Sequence, residues 1–338
     1  PQVARSTLAL CTAVTLRRTL RALLCCLVLA PVAPLRADGG ANLYAALERL
    51  PATPVEVRGA TLRVAFADDG FDLPRARLLD WVRRGAEAVA VYYDGFPVRD
   101  YRLLIEPVDG RRVAGGTTWA WRGPASRVSV GRMADEAVLA HDWVLVHEMV
   151  HTALPLLDRR HHWLEEGIAS YVEPLARAQA GQLSEAQVWA QFVGGMPLGL
   201  PQDGDEGLDR THTWARTYWG GALFCLLADV AIREESGGRA GLREALRAIA
   251  KDSRGMADEW PIERVLAAGD AATGTGVLTR LYATHASAAV SPDLPALWRA
   301  LGVVAQENAE PRFDDSAPLA AIRRSLTASA PAGVLSRP

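Results

Sequence analysis

The chain has 338 residues, of which 49% are hydrophobic and 22% are charged, so its composition excludes a wholly disordered protein. This length is enough for one large domain or two small ones. The formal net charge is −2, and residues 1–37 hold five arginines and no acidic residue, so the rest of the chain carries −7. A mildly acidic body argues against nucleic acid as a partner.

Residues 1–37 have the order of regions that is typical of a secretory signal. The basic residues Arg17, Arg18 and Arg21 precede an apolar run over 22–33, and a small residue follows at Ala37. The apolar run is short for a helix that spans a bilayer. The sequence therefore predicts a signal peptide and an exported protein, periplasmic or extracellular. An uncleaved N-terminal membrane anchor is the alternative.

The next part of the chain, to about residue 134, predicts a small mixed sheet with two helices. The helical patterns lie over 43–50 and over 74–93, where Pro74 fits the first turn. The strand patterns lie over 55–67, over 101–108, over 127–131 and, as a strand or a turn, over Gly115–Trp121.

From residue 135 onward the pattern is mostly helical. The expected helices are 135–154, 162–179, 184–193, 212–236, 239–250, 258–268 and 274–287. A loop over 194–209 is rich in Gly, Pro and Asp and is placed to border a cleft. This layout predicts an α+β domain over 38–306, with a small mixed sheet followed by a mainly helical lobe. The stretch 307–338 is Pro- and Ala-rich with one short helical segment, and it predicts a partly ordered C-terminal tail.

Two histidines in the first of these helices predict a metal site. His147 and His151 are four residues apart, so both imidazoles project from one helix face, and the residues around them are apolar. Polar side chains in a buried helix need partners, and zinc is one. Two imidazoles and a carboxylate leave zinc a fourth position for water. Glu148 is then suited to take a proton from that water.

A second segment offers the carboxylate. Residues 163–169 read Trp-Leu-Glu-Glu-Gly-Ile-Ala. Together with the histidine motif, this stretch resembles the gluzincins, the zinc peptidases whose third protein ligand is a glutamate. In aminopeptidase N-like enzymes, glycyl aminopeptidases and peptidase-MA-like proteins, a Trp-Leu-x-Glu-Gly-x-Ala segment supplies it. The resemblance implies a thermolysin-like zincin catalytic domain with one zinc ion and Glu166 as third ligand. Glu165 is the alternative ligand.

A third match begins at Thr217, where the chain reads Thr-Tyr-Trp-Gly-Gly-Ala. It resembles the Tyr-x-Lys-Gly-Ala stretch of the same enzymes, with Gly220 where the lysine is usual. In those enzymes the tyrosine hydroxyl stabilises the oxyanion of the tetrahedral intermediate. The resemblance implies this role for Tyr218, and His212 is the competing donor.

Other chemically active residues have structural interpretations. His141 is expected on a different helix face from His147, so it is not predicted to be a ligand. His161 and His162 are expected to be exposed in the loop before Trp163. Cys225 lies in an apolar run and is expected to be a packed core thiol.

The resemblance covers roughly residues 140–250 and departs from aminopeptidase N-like enzymes in one respect. Their Gly-x-Met-Glu-Asn stretch, which holds the substrate's amino terminus, has no counterpart before His147. Aminopeptidase specificity is therefore not implied, and Gly115–Trp121 or 127–131 could instead pair with an extended peptide. The sequence predicts a zinc metallopeptidase acting on a peptide or protein substrate. The alternative is an inactive, zinc-stabilised binding or scaffold protein of the same fold. Membrane contact is expected only through an uncleaved N-terminal segment.

Overall fold

The structure of the chain is a computed structural model that describes residues 37–307 and 309–329. Apart from Ala37, the expected signal segment lies outside the described residues. Among the residues described, none of the helices combines the length and the apolar character needed to cross a membrane.

Five strands form one mixed sheet in the order β1-β2-β3-β5-β4. They are β1 (Ala52–Val57), β2 (Ala60–Phe66), β3 (Asp100–Val108), β4 (Val113–Trp119) and β5 (Ala125–Gly131). The central strands β2, β3 and β5 are parallel, and β1 and β4 run antiparallel at the two edges. The stretch from Gly115 thus lies mainly in an edge strand.

The single strand predicted over 55–67 is wrong, because this stretch contains the turn between β1 and β2. Arg58 and Gly59 have φ angles of 47° and 81°. Two successive residues with positive φ form the tight turn that joins antiparallel strands. Apolar residues alternate on both sides of this turn, but the alternation shifts by one position across Arg58 and Gly59, and this shift was the available signal for the turn.

Helices cover both faces of the sheet. Leu104 of β3 packs with Leu43 and Tyr44 of the first helix, α1 (Ala37–Arg49), whereas Leu103 and Ile105 belong to the main core on the other face. This alternation follows from the period of two along a strand. The second helix, α2 (Arg75–Tyr93), contributes to the main core.

The remaining helices form a lobe on the α2 side. They are α3 (Glu136–His141), α4 (Val144–Val150), α5 (His162–Gln179), α6 (Glu185–Gly195), α7 (Gly221–Glu235), α8 (Leu242–Asp252), α9 (Ile262–Thr273), α10 (Val277–His285), α11 (Leu294–Leu301) and α12 (Ala320–Thr327). A small mixed sheet followed by a helical lobe confirms the predicted α+β fold class.

The continuous helix predicted over 135–154 is wrong, since the chain bends between α3 and α4. The Asp142 carboxylate accepts hydrogen bonds from the backbone N–H groups of Val144 and Leu145, at 3.0 and 3.1 Å. These bonds cap the first turn of α4. After α4 ends at Val150, His151 begins a short 3₁₀ turn.

The predicted tail from residue 307 contains folded elements. Two short antiparallel strands, β6 (Val303–Gln306) and β7 (Ala309–Phe313), precede α12. Arg323 of α12 is buried, pairs with Glu185 of α6 at 2.8 Å and donates to two carbonyl groups at the end of α11. These partners are distant in the sequence, so the local composition of residues 307–338 does not show that α12 folds against α6 and α11.

Glycines allow α5 and α7 to approach closely. A Cβ atom on Gly167 would lie 2.3 Å from the carbonyl carbon of Gly221, and one on Gly221 would lie 2.1 Å from the carbonyl oxygen of Trp163. Any side chain at either position would force the two helices apart. This contact sets the start of α7 against the first turns of α5, where Glu166 lies.

Candidate metal centre

The structure brings the three predicted metal ligands together. His147 projects from α4, and His151 projects from the 3₁₀ turn that follows it. Glu166 Oε2 lies 3.0 Å from His147 Nε2 and 3.6 Å from His151 Nε2. One possible donor atom from each of the three residues lies within 4.8 Å of the other two. The site is largely buried, with His147 and Glu166 only 3% and 7% exposed.

This arrangement fits a zinc ion. Tetrahedral ligands with zinc bonds of about 2.0–2.1 Å lie about 3.3 Å from one another, close to the separations between Glu166 and the two imidazoles. Burial acts to lower the pKa of His151, but the carboxylates of Glu166 and Glu148 outweigh it and raise that pKa to about 9. The cluster therefore attracts positive charge, and a metal ion can supply it in place of a proton.

The two neighbouring glutamates point to different partners. Glu165 Oε1 accepts a hydrogen bond from the backbone N–H of Leu157 at 3.1 Å, and its other oxygen lies 3.0 Å from His162 Nδ1. Glu166, one residue later, faces His147 and His151. The geometry thus groups Glu166, rather than the alternative Glu165, with the histidines.

Glu148 lies on α4 between the two histidines but faces β4. Its Oε2 accepts a hydrogen bond of 2.6 Å from the hydroxyl of Thr118. Burial raises the pKa of Glu148, although His151, His147 and the Thr118 hydroxyl act in the opposite direction. A carboxylate with a raised pKa beside a metal site is suited to proton transfer.

Tyr218 lies in a π-helical turn, Arg216–Gly220, that directly precedes α7. Its ring stacks on that of His147, with 5.8 Å between ring centroids and 12° between planes. Burial and the charges of Glu166 and Glu148 raise the pKa of Tyr218, so its hydroxyl keeps its proton and remains a donor. π-Helical turns are frequent at functional sites.

His212, the alternative donor, is exposed and precedes this turn. Trp214, which precedes Tyr218 in the chain, stacks on the Tyr218 ring with 5.5 Å between the ring centroids. The structure therefore places Tyr218, and not His212, against the ligand cluster.

For the other histidines, the structure confirms some of the predicted positions and contradicts one. His141 is exposed and contacts the carbonyl oxygen of Ala137 at 2.7 Å, away from the ligand cluster, as predicted. The exposed position predicted for His161 is wrong, because its ring is buried and lies 2.9 Å from Asp209. His162 is half exposed and begins α5, with its Nε2 3.3 Å from Glu166 Oε1. Cys225 is buried, which confirms the prediction of a core thiol.

Asp209 is a site-supporting residue that the sequence did not identify. Its carboxylate accepts hydrogen bonds of 2.7 Å from both Trp163 Nε1 and the Tyr282 hydroxyl. With the His161 contact, these bonds hold the loop before the π-helical turn against the start of α5. The Asp-rich loop composition was the only local signal, and it does not name a partner.

A second buried group of charges lies farther along α5. Arg177 pairs with Glu173 at 2.8 Å and donates to the carbonyl oxygen of Ala140 at 2.8 Å. Asp142, which caps α4, is also close enough to interact with Arg177. Burial raises the pKa of Asp142 to about 6 and that of Glu173 to about 7, although Arg177 opposes both shifts. We call Asp142, Glu173 and Arg177 the arginine cluster.

Comparisons with known proteins identify the fold. No protein-family model and no curated protein matches the sequence. An aminopeptidase N family protein from Idiomarina loihiensis is similar in structure, with a TM-score of 0.55 and 15% identity over 80% of this chain and 53% of that chain. An M1 zinc metallopeptidase from Deinococcus radiodurans gives 0.48 and 18% identity, over 72% and 52%. This chain thus spans about half the length of these proteins. At this identity the likeness shows the fold alone, an α+β fold shared with the aminopeptidase N family protein.

Proposed function

We propose that the chain is a zinc-dependent peptidase with one zinc ion held by His147, His151 and Glu166. The observation that supports this most directly is the close approach of the three donor groups, with the carboxylate of Glu148 next to them on α4. A zinc ion there supplies Lewis acidity, which lowers the pKa of a water molecule and polarises a carbonyl group.

The protein's own residues then handle the proton and the negative charge. Glu148 takes a proton from the water that attacks the peptide carbonyl carbon, and it later gives this proton to the leaving amine, so the carboxylate is regenerated. The Tyr218 hydroxyl donates a hydrogen bond to the carbonyl oxygen as negative charge develops on it. A buried site strengthens both interactions.

The substrate we propose is an extended segment of a peptide or protein. β4 is an edge strand that packs against α4, so an extended chain could pair with its outer side next to the metal ligands. β4 contains no acidic residue, so it does not provide a carboxylate that would hold a free amino terminus. The basic and apolar order of residues 1–37 supports action outside the cytoplasm.

The test compares zinc content and cleavage of a broad peptide library for the wild type, Glu148→Gln and Glu173→Gln. We expect bound zinc in all three. We expect cleavage to fall by about 100-fold or more in Glu148→Gln, as for the loss of a general base. Glu173→Gln is the matched control, since it neutralises another buried glutamate and should keep its cleavage.

One result would reject the enzyme and favour the alternative function. If the wild type and Glu148→Gln both bind zinc and neither cleaves any peptide, the site stabilises a binding or scaffold protein. If the wild type binds no zinc, the metal proposal itself is wrong.

A further inference from the structure

The side of β4 that faces α4 is shaped around the carboxylate of Glu148. Gly116 and Thr118 are two residues apart in β4, so they lie on the same face of the sheet. Both contact Glu148: a Cβ atom on Gly116 would lie 2.5 Å from Glu148 Cγ, and Thr118 bonds the carboxylate. The strand thus provides space for the Glu148 side chain at Gly116 and a hydrogen-bond donor to it at Thr118.

Thr118 is itself held by a second hydroxyl. Its Oγ1 lies 2.6 Å from Glu148 Oε2 and 2.7 Å from the Oγ of Ser126, which is fully buried in β5. A hydroxyl group has one proton to donate and can accept two hydrogen bonds. Since the carboxylate can only accept, Thr118 donates to Glu148 and accepts from Ser126. The order of donation is therefore Ser126 to Thr118 to Glu148.

The two carboxylate oxygens of Glu148 have different surroundings. Oε2 is bound by Thr118, and a hydrogen bond to a charged acceptor is stronger than one between neutral groups. Oε1 lies on the side of Gly116, where an added Cβ atom would come within 2.8 Å of it. The Thr118 contact therefore restrains the orientation of the carboxylate through Oε2.

We propose that Thr118 is a positioning residue that orients Glu148 for proton transfer. This inference rests on the proposed peptidase function, in which Glu148 is the base. The Thr118 hydroxyl approaches two atoms of Glu148, the carboxylate Oε2 at 2.6 Å and the backbone carbonyl oxygen at 3.1 Å, so Thr118 acts through Glu148. A base whose reacting oxygen is displaced by a fraction of an ångström loses much of its effect, because proton transfer needs hydrogen-bond distance and alignment.

The first experiment measures kcat, KM, zinc content and melting temperature for three variants. Thr118→Val keeps the shape and removes the hydroxyl, and Thr118→Ser restores it. Thr61→Val is the matched control, because it removes a hydroxyl that bonds a carboxylate, that of Glu56, at a position outside the candidate site. We expect kcat to fall about 10- to 100-fold in Thr118→Val, with KM and zinc content unchanged, and to return within about 3-fold in Thr118→Ser.

The second experiment does not depend on turnover. Acetohydroxamic acid binds zinc and presents a proton donor to a neighbouring carboxylate. We expect about 10-fold weaker binding to zinc-loaded Thr118→Val than to the wild type, and no change in Thr61→Val. The two experiments together separate the inference from the proposed function.

Each possible result has a defined reading. A wild type that cleaves no peptide rejects the peptidase proposal, while weaker hydroxamate binding by Thr118→Val still supports the positioning role. Thr118→Val with wild-type kcat and wild-type hydroxamate affinity overturns the inference. So does a Thr118→Val variant that loses zinc or melts well below the wild type, because Thr118 would then be a structural residue.

Discussion

Two groups of ionisable side chains are buried where α4 meets α5, and they obtain their positive charge differently. The arginine cluster has Arg177, whose guanidinium does not lose its proton in proteins. In the metal cluster of His147, His151 and Glu166, only the imidazoles can carry a positive charge. The neighbouring carboxylates of Glu166 and Glu148 favour a proton on His151. A proton can be exchanged for a metal ion, whereas the charge of Arg177 cannot.

This difference explains why similar burial serves two purposes on the same pair of helices. In the arginine cluster, the positive charge of Arg177 is paired within the cluster by Glu173. Arg177 also joins α5 to the end of α3 through a hydrogen bond to the carbonyl group of Ala140. In the metal cluster, a metal ion can replace the proton on His151. This cluster lies beside β4, the edge strand of the sheet. The comparison predicts that loss of the first weakens the fold, while loss of the second removes the metal.

The largest expected effect is on zinc affinity. Glu166→Ala should bind zinc at least about 100-fold more weakly than the wild type, because even residues that only support a ligand change affinity by about 10–100-fold. Glu165→Ala should keep its affinity within a few-fold. Competition with a chromogenic chelator measures both. The reverse order of effects would show that Glu165 is the ligand and would contradict the assignment.

Removal of Arg177 should weaken the fold without removing the metal. Arg177→Met leaves two buried carboxylates without their cation, so we expect the free energy of unfolding to fall by about 3–5 kcal/mol. Urea unfolding of the zinc-loaded protein measures this, and zinc content should not change. Arg83→Met is the control: it breaks an exposed pair with Asp80 and should cost less than about 1 kcal/mol.

A smaller effect should appear in the dependence of stability on pH. The pKa of Glu173 is about 7 in the folded protein, against an ordinary value of 4.5. A carboxyl group with a raised pKa binds its proton more tightly in the folded state, so its contribution is complete below about pH 4.5 and is lost as the pH rises through 7. Between these limits the wild type should lose up to about 3 kcal/mol relative to Glu173→Gln.

Urea midpoints of both proteins at matched zinc concentration, measured between pH 5 and pH 8, test this prediction. The effect of zinc binding on stability is common to both proteins, so their difference isolates Glu173. A constant difference over this range would show that the attraction of Arg177 outweighs burial and keeps Glu173 ionised throughout.

Helices with a clear apolar period were predictable. α2 and α5 lie within one residue of the predicted ranges, because each buries one continuous face over several turns. The break at Asp142 was not predictable from period, since α3 and α4 are both apolar and only the capping bonds separate them. The turn at Arg58 and Gly59 was missed because apolar residues alternate on both sides of it, although the alternation shifts by one position there.

At the site, sequence alone was strongest where the functional residues lie on one continuous helical segment, α4 and the 3₁₀ turn that follows it. His147, Glu148 and His151 have a spacing that fixes their relative directions as soon as the segment is helical. Glu166 came from a resemblance, and the choice against Glu165 depended on it. The structure distinguishes the two by their partners, since Glu165 accepts a hydrogen bond from Leu157 N–H, whereas Glu166 contacts both His147 and His151.

The sequence by itself therefore determined the α+β layout and the helical spacing of the candidate ligands His147 and His151, because both follow from short-range periodicity. The tertiary structure decided what surrounds that helix. Thr118 from β4 reaches Glu148, Arg177 from α5 bonds the carbonyl oxygen of Ala140, and the π-helical turn sets Tyr218 on His147. Each of these contacts joins segments far apart in the chain. Such contacts depend on how helices and strands pack, and no local pattern of residues encodes that packing.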